Sequence, residues 1–87
     1  MDPSYRVYVH LEIYQALANF DEGDQDRLLA FLDSLTGNPF TEPDQFGRDD
    51  TGRQYQIKII GRFALYYWLD HSEKEIKVVD LVDADKF

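Results

Sequence analysis

Residues 53–83 read RQYQIKIIGRFALYYWLDHSEKEIKVVDLVD and contain three runs rich in β-branched and aromatic residues. The first run alternates apolar and polar residues, which is the period of a half-buried strand. Gly61-Arg62 separates it from the run 63–69, and the polar segment 70–74 has the length of a hairpin loop before the third run, 76–82. These short connections predict an antiparallel meander, because parallel strands need a crossover of a dozen or more residues.

The first half of the chain predicts one strand and two helices. Residues 5–10 alternate as a strand does, and two helical stripes of apolar residues follow, separated by an acidic segment. The stripes are Ile13, Leu17 and Phe20, then Leu28, Leu32 and Leu35. Asp21 or Asp24 can cap the second helix. Residues 40–51 have the composition of a loop, with a short edge strand near 46–49.

These elements predict an α+β fold. The N-terminal strand precedes a two-helix antiparallel hairpin, which packs on one face of a mainly antiparallel sheet. The sequence leaves open which strand the first one pairs with. A length of 87 residues predicts a single domain, 1–87.

Composition limits the classes of partner. The chain has 17 acidic and 9 basic residues, a net charge of −8, and no cysteine. A broad nucleic-acid groove is therefore disfavoured, because such proteins carry a basic footprint, although a small basic spot exists around residues 48–62. Disulfides are excluded. The N-terminus lacks the pattern of a secretory signal and no apolar run is long enough to span a bilayer, so we expect a cytoplasmic protein.

The order and spacing of these segments resemble the RelE/ParE superfamily of toxins from bacterial toxin–antitoxin modules. The resemblance spans nearly the whole chain: the strand YRVYVH, the helix LEIYQAL, the helix RLLAFLDSL before NPF, then IKIIGRFALYYWLD and KEIKVVDLVD. Gly61, Phe63, Leu65 and Tyr67 fit the strand–turn–strand frame of that family. The resemblance implies a RelE/ParE-like fold.

The resemblance also implies a function. It predicts the toxin of a type II, plasmid-stabilisation type module, acting either as a ribosome-dependent mRNA interferase or as a DNA gyrase inhibitor. Such a toxin is neutralised by a cognate antitoxin and needs no cofactor. The alternative is a non-catalytic protein-binding module that kept the toxin scaffold and lost nuclease activity. A further hypothesis places the antitoxin on the helical hairpin and gyrase on the open sheet face.

Departures from the family leave enzymatic activity an open question. The nuclease branch has an arginine after the central-strand aromatic, where this chain has Ala64. That branch also has basic residues near the end of the last strand, where this chain has acids with Lys86 as the one base, and Phe87 has no hydroxyl. Cleavage of RNA needs cations for the developing phosphorane charge.

One sheet face is expected to carry the site. If Phe63, Leu65 and Tyr67 face the helices, then Arg62, Ala64, Tyr66 and Trp68 face away from them, on the open face. We expect the even-numbered residues 54–60 to join them there. The candidate phosphate or RNA ligands are Arg48, Arg53, Lys58 and Arg62. Tyr66 and Trp68 either stack on bases or form an interface with an antitoxin or a second copy of the chain, and the net charge favours the protein interface.

Proton transfer is assigned to His71, with Tyr66 as a second candidate. An unperturbed histidine titrates near neutral pH, and the competing interpretation of His71 is a solvated loop residue. His10 is interpreted as a packing or capping residue. No histidine has metal-ligand spacing, so no metal is predicted. Asp80 either faces solvent on the open face or pairs with Lys58 or Arg62.

Overall fold

A computed structural model describes residues 5–84 as a sheet with two helices. The elements are β1 (Arg6–Val9), α1 (Leu11–Leu17), α2 (Glu22–Gly37), β2 (Gln45–Arg48), β3 (Gln54–Ile60), β4 (Phe63–Asp70) and β5 (Glu75–Asp83). The sheet order is β1-β5-β4-β3-β2. β1 runs parallel to β5, and the other neighbours are antiparallel. The predicted α+β class, meander and edge strand are confirmed, and β5 is the partner of the first strand.

The core lies between the helices and one face of the sheet. The predicted stripe of α2 is confirmed, because its leucines are buried against alternate residues of β4 and β5. In the first stripe Ile13 and Leu17 are buried on α1, whereas Phe20 lies beyond the end of that helix. Leu35 and Tyr67 are fully buried there. Burial of this apolar surface is the main term that holds the layers together. Among the described residues, no helix combines the length and the apolar character needed to cross a membrane.

Asp21 and Asp24 have different roles at the start of α2. Asp21 is the cap, and its side chain accepts a hydrogen bond of 2.9 Å from the backbone N–H of Asp24. Asp24 is itself buried and forms ion pairs with Arg27 at 2.8 Å and Arg62 at 3.2 Å. Asp24 therefore ties the first turn of α2 to the turn between β3 and β4.

The expectation for the even-numbered residues of β3 is wrong. The register pairs Ile60 with Phe63, Lys58 with Leu65 and, further along, Gln56 with Tyr67. Residues directly opposite one another on neighbouring strands share a face of the sheet. A turn of two residues therefore puts the even positions of β3 beside the odd positions of β4. Lys58 lies on the helix side, away from Tyr66 and Trp68.

Candidate functional site

A groove of about 420 Å³ lies at the end of the sheet where β3 begins and β4 ends. It is lined by Phe46, Arg53, Gln54, Gln56, Trp68, Leu69 and His71. Its walls therefore combine aromatic rings, two amides, a guanidinium and an imidazole. The side-chain oxygen of Gln56 is buried there without a hydrogen-bond partner in the described part of the chain. That oxygen is shielded from a ligand, so the groove offers the Gln54 amide as an acceptor and the guanidinium as a donor, with the imidazole able to serve as either.

Arg53 is held at the groove by an aromatic ring. Its guanidinium carbon lies 4.0 Å from the centroid of Trp68, and Lys77 Nζ lies 5.3 Å from the same ring system. A cation over an aromatic face is attracted by the ring quadrupole without losing its charge or its N–H donors. Arg53 is therefore positioned while its donors stay available to a ligand.

His71 belongs to an aromatic cluster that consists of Tyr5, Phe40 and His71. Its Nδ1 lies 2.7 Å from the Tyr5 hydroxyl oxygen. Phe40 stacks on the imidazole at 5.5 Å with an interplanar angle of 11°, and Tyr5 stands edge-on to it at 5.9 Å. His71 is exposed in the turn after β4, and its ring also contacts Tyr5 and Phe40.

The predicted cations are not brought together. Arg62 lies at the far end of β4, where it pairs with Asp24. The seven residues of β3 separate that end from Arg53 by roughly 20 Å. Lys58 lies on the helix side, with Nζ 4.0 Å from the Asp44 carboxylate.

Arg48 is also engaged by the protein. Its Nη1 donates a hydrogen bond of 2.9 Å to the Gly52 carbonyl in the turn between β2 and β3. Of the four predicted phosphate ligands, Arg53 is the one that lines the groove in the described part of the chain. A site that uses all four would need a large rearrangement.

Tyr66 lies on the open face, two residues before Trp68. Burial raises the pKa of its hydroxyl, and the nearby Tyr55 and Asp80 raise it further. At neutral pH this hydroxyl is therefore protonated, so Tyr66 is suited to donate a hydrogen bond and not to act as a base. Asp80 stands opposite Tyr66 and is exposed, which confirms the solvent-facing alternative for its carboxylate.

Ala64 is the residue at which the sequence resemblance led us to look for an arginine. It is fully buried on the open face, opposite Ile59 and Val82. This position therefore supplies no positive charge to the open face. Lys86 and Phe87 lie outside the described residues. Within residues 5–84, no group of three or more histidines, aspartates or glutamates is placed to hold a metal ion.

Sequence reasoning missed the partners of His71. Tyr5 is 66 positions away in the chain and reaches it because β1 pairs with β5. Phe40 follows the buried Pro39 in the NPF segment, which was noted as part of the resemblance. The alternation of residues 5–10 predicted a strand that includes Tyr5, but this pattern does not show which strand it pairs with.

The fold and groove together define a small α+β domain with a ligand-accessible cleft at one end of its sheet. No protein-family model matches the chain, and no curated protein matches it in sequence. Its structure is similar to a RelE chain in the crystal structure of the archaeal RelE–RelB complex from Pyrococcus horikoshii OT3. The TM-score is 0.83 at 23% identity, over 97% of this chain and 99% of that one. The RelE-like fold that the sequence resembles is confirmed.

Proposed function

We propose that this chain is the toxin component of a type II toxin–antitoxin module and that the groove is where it engages its target. The main support is the structural correspondence over nearly the full length of a chain from a RelE–RelB complex. Shared fold alone does not define activity, so the groove has to supply the chemistry. It does so with Arg53, His71 and exposed aromatic surface.

The proposed action is inhibition of translation through mRNA cleavage. Transfer to the ribose 2′-oxygen requires proton transfer and stabilisation of phosphorane charge. In the groove His71 serves proton transfer and Arg53 serves the charge. Arg48, Lys58 and Arg62 take no direct part, because protein oxygens already engage them. Gyrase inhibition is the competing action, since it needs no catalytic group.

A non-catalytic protein-binding module is the second candidate function. It is favoured by the buried Ala64 and by the dispersal of the predicted cations. One arginine and one histidine are a small set for phosphoryl chemistry. This candidate predicts a stable complex and no effect on growth.

The proposed partner is a cognate antitoxin, since the similar structure is a toxin–antitoxin complex. On the open face, Trp68 is half-buried with Lys77 Nζ 5.3 Å from its ring, and Tyr66 is half-buried beside the ring of Tyr55. This mixture of aromatic rings and a cation is typical of the centre of a protein interface. A second copy of the chain is the competing occupant, which sedimentation of the isolated protein would reveal.

The test is induced expression of the wild type, Arg53→Ala and Arg48→Ala, with pulse-labelled protein and DNA synthesis followed alongside growth. Arg48 is the matched control, because it lies in the same hairpin but outside the groove. Early loss of protein synthesis that Arg53→Ala alone relieves supports the proposal. Early loss of DNA synthesis points to gyrase. Normal growth at high soluble expression overturns the toxin assignment and supports the binding module.

A further inference from the structure

We infer that Tyr5 is a positioning residue that holds the neutral imidazole of His71 with its proton on Nε2, so that the ring presents a hydrogen-bond donor to the groove. The inference deepens the proposed function and rests on it for its biological meaning. Its structural half concerns one hydrogen bond and can be measured on the isolated protein. Tyr5 does not itself line the groove.

The direction of the Tyr5–His71 hydrogen bond follows from the number of donors. The Tyr5 side chain is 7% exposed, so its hydroxyl proton needs a protein acceptor. Within residues 5–84, the recorded partner of that hydroxyl is His71 Nδ1, at 2.7 Å. A phenol carries one proton and a neutral imidazole carries one. When Tyr5 donates, Nδ1 is the acceptor, and the ring proton resides on Nε2.

Packing fixes where that second nitrogen points. Phe40 lies parallel to the imidazole and Tyr5 lies perpendicular to it, which restricts both tilting and flipping of the ring. A flip would replace Nδ1 with carbon at the Tyr5 hydroxyl and leave a buried donor unpaired, a costly state. Since His71 lines the groove while Nδ1 faces Tyr5, Nε2 is the nitrogen left for a ligand.

The charged groups around the cluster are consistent with a ligand that accepts hydrogen bonds. Lys74 Nζ lies 5.8 Å from the Tyr5 ring centroid, and Arg53 lines the same groove as His71. Asp70, which precedes His71, is occupied by hydrogen bonds from Ser72 and Glu73. Nε2–H and the Arg53 guanidinium are then two donors on the same groove, suited to an anionic ligand such as a phosphate.

This tautomer assigns His71 a definite role in the proposed chemistry. A neutral ring with its proton on Nε2 presents a hydrogen-bond donor to the groove and cannot act there as the base. To act as a general acid the ring must first take up a second proton on Nδ1, so that it keeps one proton after Nε2 gives up its own. The opposite role would require Nδ1 to carry the proton and Tyr5 to become the acceptor. The inference therefore separates two mechanisms that the identity of His71 alone cannot distinguish.

The first experiment measures the ¹⁵N chemical shifts of both imidazole nitrogens, at a pH where the ring is neutral, in the wild type, Tyr5→Phe and Tyr8→Phe. We expect a protonated Nε2 and an unprotonated Nδ1 in the wild type and in Tyr8→Phe. In Tyr5→Phe the two shifts move toward those of a free imidazole. Tyr8 is the control, because it is exposed on the same strand and has no contact with His71. A protonated Nδ1, or shifts that Tyr5→Phe leaves unchanged, overturns the inference.

The second experiment compares growth arrest by the same variants. Tyr5→Phe keeps the ring that packs in the cluster and removes one oxygen, and backbone amide spectra verify that it is folded. We expect Tyr5→Phe to weaken the arrest at least tenfold in viable counts, whereas Tyr8→Phe leaves it intact. Full arrest by Tyr5→Phe with an altered tautomer overturns the role of Tyr5. No arrest by the wild type with the expected tautomer instead overturns the proposed function and leaves the hydrogen-bond assignment standing.

Discussion

Each end of the β3–β4 hairpin has an arginine beside an aromatic ring, but only one of the two arginines forms an ion pair in the described part of the chain. At the turn, Arg62 lies 5.2 Å from the Phe63 centroid and also pairs with the buried Asp24. At the groove, Arg53 lies over Trp68, and its guanidinium forms no ion pair within residues 5–84. The ion pair with Asp24 makes the cation at the turn part of the fold. The charge of Arg53 acts on the Asp49 carboxylate without an ion pair between them, so its guanidinium stays available to a ligand.

Truncation of the core at the turn end should have the largest effect on stability. Leu28 is 1% exposed and packs with Leu17 and Phe63. Leu28→Ala leaves a cavity and should lower the free energy of unfolding by about 2–5 kcal/mol. Urea denaturation followed by Trp68 fluorescence measures this, with the exposed Leu29→Ala as the control. Equal losses for both variants would show that α2 is not packed as described.

Tyr67 lies on β4 between the two ends of the hairpin, and its buried hydroxyl should make the protein less stable at high pH. Burial raises the pKa of its hydroxyl to about 12, and Asp44 contributes to the increase. An unfolded tyrosine loses its proton near pH 10, so the unfolded state binds fewer protons above that pH and stability falls as pH rises from about 10 to 12. Tyr67→Phe should remove about 2 kcal/mol of that fall.

The Tyr67 variant should carry little penalty at neutral pH. The wild-type hydroxyl is buried without a hydrogen-bond partner among the described residues, so its removal leaves no donor or acceptor unpaired. Denaturation of both proteins at pH 7 and at several values up to pH 12 tests the two statements together. Parallel pH curves for the two proteins would contradict the buried hydroxyl.

Two glycine substitutions should change stability in opposite directions, one in the turn before Arg62 and one at the end of α2. Gly61 has a φ of +60°, a region that costs other residues about 1–2 kcal/mol. Gly61→Ala should destabilise by that amount, whereas Gly37→Ala, in the last turn of α2 with open space around it, should stabilise by about 0.5–1 kcal/mol. Thermal unfolding gives both signs, and destabilisation by Gly37→Ala would contradict the described end of α2.

Local patterns predicted the elements of this fold and its antiparallel meander, but not the register of β3 against β4 or the partner of the first strand. The helical stripes, the Gly61-Arg62 turn and the polar loop after β4 all follow from periodicity and turn chemistry. The face assigned to Lys58 was wrong because alternation along one strand does not fix its phase relative to the next. That phase depends on the number of residues in the turn, which here aligns Ile60 with Phe63.

The groove could be predicted only in part, because strand pairing brings its residues together. Arg53, Trp68 and His71 were named as candidates, each from its residue type. The role of Tyr5 depends on the parallel pairing of β1 with β5, which no local pattern encodes. Asp24 was considered as a cap, whereas its burial and its pairing with Arg62 depend on how α2 docks on the hairpin.

The matched variants Arg62→Ala and Arg53→Ala should show the smallest effects on stability and the clearest contrast between the two ends. Arg62 is well exposed and Asp24 keeps Arg27 as a partner, so Arg62→Ala should cost about 1 kcal/mol. Arg53→Ala should stay within about 0.5 kcal/mol of the wild type. Growth arrest should reverse that order, with Arg62→Ala still arresting cells and Arg53→Ala impaired. Loss of arrest in Arg62→Ala at unchanged stability would instead place a working cation at the turn, and the distinction between a structural end and a ligand-binding end would fail.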